Sequence, residues 1–155
     1  MGEIERIADQ LKRAYEGKAW HGPSVREALA GVDSAKAARH SPGGGHSIWE
    51  VALHIGVWEG IVRRRLGGES IADIADAQDW PAVTDLSDAA WQRALITLLE
   101  VHRQLRAAVE TFPEARLAEI VPGTKTPRSF YGELHGVLQH DIYHAGQISL
   151  LKRLV

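Results

Sequence analysis

From about Thr126 to its end the chain carries two rows of apolar residues at helical spacing, a double pattern that constrains the fold more than any other feature. Val137, His140, His144, Ile148 and Leu151 share one face, and Phe130, Leu134, Leu138 and Ile142 form a second row further round. A helix that is apolar on two sides has to be packed between neighbours. Thr126-Pro127 reads as its N-cap and first helical residue, because proline is tolerated there.

Three more long segments have the same 3.6-residue period. Between Glu3 and Gly17 the apolar positions are Ile4, Ile7, Ala8, Leu11, Ala14 and Tyr15. Ser47-Ile48-Trp49-Glu50 is a capping-box pattern that opens a helix to about Leu66, before Gly67-Gly68. Ser87 caps a third, Asp88 to about Phe112, with Trp91, Leu98, Leu105 and Val109 in its stripe. Shorter helical pieces are expected from Ser24 to about Leu29 and from Asp33 to Arg39, and His40 to His46 is a glycine-rich loop. Ser70 to about Trp80 reads as a short helix or a loose connection, ended by Pro81. No segment alternates as a strand does, and no repeat is visible. The expected fold is therefore all-α, a four-helix bundle in a single domain over residues 1–155 with short extra helices in its connections. The long Gly17 to His46 connection leaves room for the first two long helices to run parallel.

Composition narrows the function classes. Hydrophobic residues at 45% and charged residues at 25% fit an ordinary globular protein. A net charge of -2 argues against a basic nucleic-acid-binding face. There is no apolar run of the length, about 18 residues, that a membrane helix needs. Met1-Gly2-Glu3-Ile4-Glu5-Arg6 has no apolar h-region, so no signal peptide is expected and the cytoplasm is the expected location. The chain has no cysteine, which excludes disulfides, zinc fingers and a thiol nucleophile of its own.

Eight histidines are generous for this length, and three stand out. His140 and His144 are four apart, one turn from each other on a single face, and two imidazoles at that spacing can reach one divalent metal. His54 lies in the middle of a mainly apolar stripe, with Val51, Val57, Trp58, Ile61 and Arg65 within about 60° of it. Burying three imidazoles without a shared partner is costly, and a metal removes that cost by taking their lone pairs. Three nitrogen ligands from two helices also leave at least one coordination position open, as catalytic metal sites do.

Ser47-Ile48-Trp49-Glu50-Val51-Ala52-Leu53-His54, followed much later by His140-Asp141-Ile142-Tyr143-His144-Ala145-Gly146-Gln147-Ile148, resembles the DinB/YfiT-like superfamily over essentially the whole chain. The resemblance implies a four-helix bundle with up-up-down-down connectivity, usually a homodimer, that holds a divalent metal, most often zinc or nickel. It carries the ligand role onto His54, His140 and His144. Characterised relatives include metal-dependent transferases and isomerases acting on low-molecular-weight thiols such as bacillithiol and mycothiol. The function expected is thus activation of a small thiol for transfer to an electrophile. The alternatives are a hydrolase using metal-bound water and a metal-binding, stress-associated dimer without turnover.

Glu50 is assigned to its capping box rather than to the metal surroundings. Gln147 either orients a ligand or makes a helix-interface hydrogen bond, and both readings stay open. Asp141 is expected to pair with a basic residue rather than complete a metal shell. Tyr143 is expected to pack at a helix interface, and His102 to be a satisfied core histidine. His40 and His46 can overhang the pocket, although exposed loop histidines usually do nothing, while His21 and His135 carry no signal. Trp49 and Trp58 are core or pocket-wall residues. Arg65 turns to the His54 side, where it can meet an anionic substrate.

Overall fold

A computed structural model describes residues 1–72 and 74–155, so Asp73, inside the expected Ser70 to Trp80 connection, lies outside the described residues. Among the described residues the chain is helical, without a strand: α1 is Glu3–Glu16, α2 Val25–Leu29, α3 Ser34–Ala38, α4 Ile48–Leu66, α5 Asp76–Asp79, α6 Asp88–Glu110 and α7 Phe130–Leu154. The four long helices α1, α4, α6 and α7 make a bundle, as the periodicity requires. No helix is long and apolar enough to cross a membrane among the described residues.

Two apolar clusters fix the helix directions. One joins Tyr15, Ile48, Ile55, Trp91, Leu98, Ala145 and Ile148. The other joins Ile4, Leu11, Val62, Leu66, Leu105, Val109, Phe130 and Val137. The C-terminal half of α1 thus meets the N-terminal halves of α4 and α6 and the C-terminal half of α7. The long helices run up, down, down, up, which replaces the expected up-up-down-down order and the parallel arrangement of the first two. The reason is where the long connections go. Residues 17–47 stay at one end of the bundle, where α2 packs on α1 and α7, and α3 on α4 and α6. The link from α4 to α6 is the one that has to travel the length of the bundle, because these neighbours are parallel.

The local signals hold at most helix starts. Ser24 and Ser47 each close a capping box, with Glu27 and Glu50, and Ser87 accepts from the backbone of Ala90. The last helix is the exception. It begins at Phe130, capped by Ser129 Oγ accepting from the Gly132 N–H at 3.2 Å, and not at Thr126-Pro127. The N–H groups of Phe130 and Tyr131 donate to the carbonyls of Glu119 and Leu117, at 3.0 and 2.9 Å. The preceding loop therefore satisfies two of the donors that a helix start leaves free, and that bonding sets the boundary.

Candidate metal centre

The helix directions bring the second turn of α4 against the middle of α7. His54 Nε2 lies 2.9 Å from His140 Nε2, which lies 3.1 Å from His144 Nε2. The three side chains expected as ligands are thus brought together. His54 and His144 are buried and His140 is partly so.

The outward nitrogens show which way the lone pairs point. Nδ1–H of His54 donates to the backbone carbonyl of Asp79 at 2.9 Å, with the Asp79 carboxylate at the same distance. Nδ1–H of His144 donates to Gln147 Oε1 at 2.7 Å, and Gln147 Nε2 donates in turn to the Tyr143 hydroxyl at 3.0 Å. With Nδ1 protonated in both rings, each Nε2 holds a lone pair aimed at the shared centre. Burial lowers the pKa of His54, and burial together with the nearby His140 lowers His144 to about 4, so both rings are neutral near pH 7.

Lone pairs brought this close repel unless something electron-poor sits between them. One proton can link only one pair of the three nitrogens. A tetrahedral ion with metal–nitrogen bonds of about 2.0–2.1 Å would set its nitrogens about 3.3 Å apart. The observed spacings lie within a few tenths of an ångström of that, so the cluster fits a divalent ion. Among the described residues the three histidines form a group able to hold one.

The α4 to α6 link covers the site. Trp80 stacks on His54 with ring centroids 3.8 Å apart and planes 3° from parallel, and His46 stacks on the other face of Trp80 at 3.5 Å. Trp58 donates its indole N–H to the Asp79 carboxylate at 2.7 Å, which ties the link to α4. Two cavities flank the cluster. One of about 280 Å³ is lined by His140, Trp58, Val62, Arg128 and Glu133, and one of about 380 Å³ by His144, Trp80, His46, Tyr143 and Gln147.

Glu50 serves its capping box, with Oε2 accepting from the Ser47 N–H at 2.8 Å. Gln147 bonds to His144 three residues away on the same helix, and that bond does not cross a helix interface. His46 overhangs the site through Trp80. Trp49 is core, packed on Trp91, whereas Trp58 is a pocket wall. Tyr143 is 63% exposed, so it does not pack at a helix interface within this chain; it stands beside His144 instead. Arg65 is also corrected. It is buried and bonded to Glu133 at 2.6 Å and to the Ile71 carbonyl at 2.9 Å, which leaves it no role towards an anionic substrate.

Asp141 overturns its expectation most clearly. Among the described residues it pairs with no lysine or arginine; it is fully buried beside Glu59 of α4 and His102 of α6, with Oδ1 3.9 Å from Nδ1 of the neighbouring His140. His102 is a core histidine, with Nδ1 2.7 Å from Glu59 Oε1, and burial first, then nearby Arg106, lowers its pKa to about 3. Burial also raises both carboxyl groups, Glu59 well above its ordinary value.

Asp79, Trp80 and Glu59 escaped the sequence reading. Glu59 left a signal, because it occupies a core position in the series Ile55, Glu59, Val62, Leu66. Asp79 and Trp80 left none: they sit in the link, and only its path along the bundle brings them to His54.

The sequence model of the DinB superfamily matches residues 19–148, while no curated protein and no solved structure matches the chain. That match takes in α2 through most of α7, and with it all three converging histidines and the helices that carry them. The chain belongs to the DinB superfamily.

Proposed function

We propose that His54, His140 and His144 hold a divalent ion, zinc or nickel first among them, in an enzyme that activates a low-molecular-weight thiol for transfer to an electrophile. The observation that carries this is the convergence of three imidazole nitrogens between two cavities. An ion held there would act as a Lewis acid and stabilise a thiolate, or a hydroxide, near neutral pH. Three imidazole donors bring no negative charge of their own to the ion, and the Asp79 carboxylate stands behind His54 rather than among the donors, which favours an anionic group at the open position.

The chain's own residues divide the remaining work. Asp79 and Gln147 hold two of the imidazoles in the orientation that presents Nε2. Trp80 and His46 exclude water from the His54 side. Arg128, half exposed and paired with Glu133 at the edge of the cavity beside His140, offers a cation to an acidic substrate. Two cavities suit two reactants, and the lack of cysteine suits a sulfur nucleophile supplied by a cosubstrate. The reading includes one domain over residues 1–155, a cytoplasmic location and a homodimer. For the dimer, Tyr143, Leu150 and Leu154 stand exposed along one side of α7. Limited proteolysis, cell fractionation and light scattering test these three.

The reaction is tested by following depletion of a generic electrophile with and without bacillithiol, mycothiol or glutathione. Thiol-dependent turnover lost in His140→Ala is the expected result. Turnover without any thiol, also lost in His140→Ala, replaces the transferase by a hydrolase. Protein purified without a histidine tag that carries no transition metal and accepts neither zinc nor nickel overturns both.

A further inference from the structure

Asp141 follows His140 directly but turns into the middle of the bundle. There it meets Glu59 and His102, and all three side chains have no exposed surface. One ligand atom from each lies within 4.8 Å of the other two. The Tyr15 ring stacks on His102, with centroids 3.9 Å apart, and closes the side towards α1.

Most polar atoms in this group have no partner. Glu59 Oε2, both oxygens of Asp141 and His102 Nε2 are buried and unbonded. An unsatisfied buried polar atom costs about 1–3 kcal/mol, so several at one point call for a common explanation. Buried Arg65 is engaged elsewhere, with Glu133, and so is partly buried Arg106, with Glu16 and Glu110. A proton shared between the two carboxyl groups would partner at most two of these atoms. His102 Nε2 would remain bare, and Asp141 Oδ1 faces only Nδ1 of His140, 3.9 Å away and beyond hydrogen-bond length.

We propose that Glu59, His102 and Asp141 form a second cation site, in the core of the bundle, for a divalent transition ion of the manganese, iron or zinc class. Two carboxylates cancel the charge of such an ion, and the imidazole adds a neutral donor. The assembled site is therefore neutral, the condition under which ionic groups can be sealed away from water. Its mixed nitrogen and carboxylate set is harder than the three-histidine cluster and suits first-row divalent ions. Calcium, which takes six to eight oxygens, and magnesium, which keeps several waters, fit it poorly. Because no ligand is exposed, the ion enters as the chain folds and leaves slowly. The inference does not depend on the reaction proposed above.

The test is to produce the untagged full chain in zinc-supplemented cells, desalt it and count the zinc that stays bound. Native protein is expected to keep two equivalents. His54→Ala, which removes a donor from the other cluster, is expected to keep one. Glu59→Gln is also expected to keep one, with release to a chelator as fast as from the three-histidine cluster. If His54→Ala keeps no zinc while Glu59→Gln keeps one, the second site is overturned and the first stands. If His54→Ala keeps one and Glu59→Gln none, the second site stands and the first falls. Should either variant fail to fold, zinc-edge anomalous diffraction from native crystals decides. A peak among Glu59, His102 and Asp141 supports the site, and a peak only at the three Nε2 atoms overturns it.

Discussion

His140 and Asp141 are consecutive residues of α7, yet they belong to clusters that treat burial in opposite ways. At His140 three imidazole nitrogens converge with no carboxylate among the converging atoms, cavities open on either side, and aromatic rings form the cover. At Asp141 two carboxyl groups and one imidazole are sealed by four helices, with no exposed surface at all. The difference follows from charge. A divalent ion among three imidazoles keeps its positive charge and draws an anion from outside, so the site has to stay reachable. An ion between two carboxylates is already neutralised and can be enclosed. One helix can therefore carry an open cluster and a sealed one a single residue apart.

That contrast rests on buried charge needing compensation, and the Arg65–Glu133 pair measures how strictly this protein enforces it. Their side chains are 2% and 4% exposed, and Glu133 also bonds Arg128. Glu133→Ala strands a buried guanidinium, and the expected loss is about 3–5 kcal/mol of stability. Calorimetry should then show a melting temperature lower by roughly 10 °C. A loss under about 1 kcal/mol would mean that charges at this depth tolerate isolation, and would remove the reason for separating the clusters.

Next in size is removal of a nitrogen from the open cluster. His140→Ala is expected to weaken zinc binding there by more than about a hundredfold, or about 2.7 kcal/mol, read by competition with a chromogenic chelator. Equal affinity in the variant would show that the three Nε2 atoms do not act together. Gln147→Leu removes the acceptor that orients His144 and should weaken the same binding by about ten- to a hundredfold. It should leave zinc at Glu59, His102 and Asp141 untouched, and a fall at both positions would merge the two clusters into one.

The two clusters were also unequally legible in the sequence. His54, His140 and His144 could be read because imidazole in an apolar stripe is conspicuous, and the 3.6-residue period then fixes which way each points. The all-α bundle was readable for the same reason. Asp141 sits on its helix as predictably as His140 does, but its partners Glu59 and His102 come from other helices and declare themselves only as polar residues at core positions. The helix directions were not legible, because periodicity says nothing about which end of the bundle a connection returns to. The cover by Asp79 and Trp80 was hidden for that reason too. Its place depends on α4 and α6 being parallel, so that the link between them has to run back past His54.

The smallest expected effect tests whether that cover belongs to the open site's function or merely fills space. Trp80 lies between His46 and His54, with the three ring planes nearly parallel. An aromatic pair of this kind is worth about 0.5–1.5 kcal/mol beyond the area it buries. Trp80→Ala should therefore leave zinc affinity within about tenfold of the native value. What should change is kinetics: the ion should pass to a chelator about two- to tenfold faster, because the ring no longer has to unstack before His54 can swing away. His46→Ala removes only the outer layer and should speed release less. Unaltered release in both variants would make the stack a consequence of the link's path. Faster release in Trp80→Ala alone would place the barrier at the inner contact, the one on His54 itself.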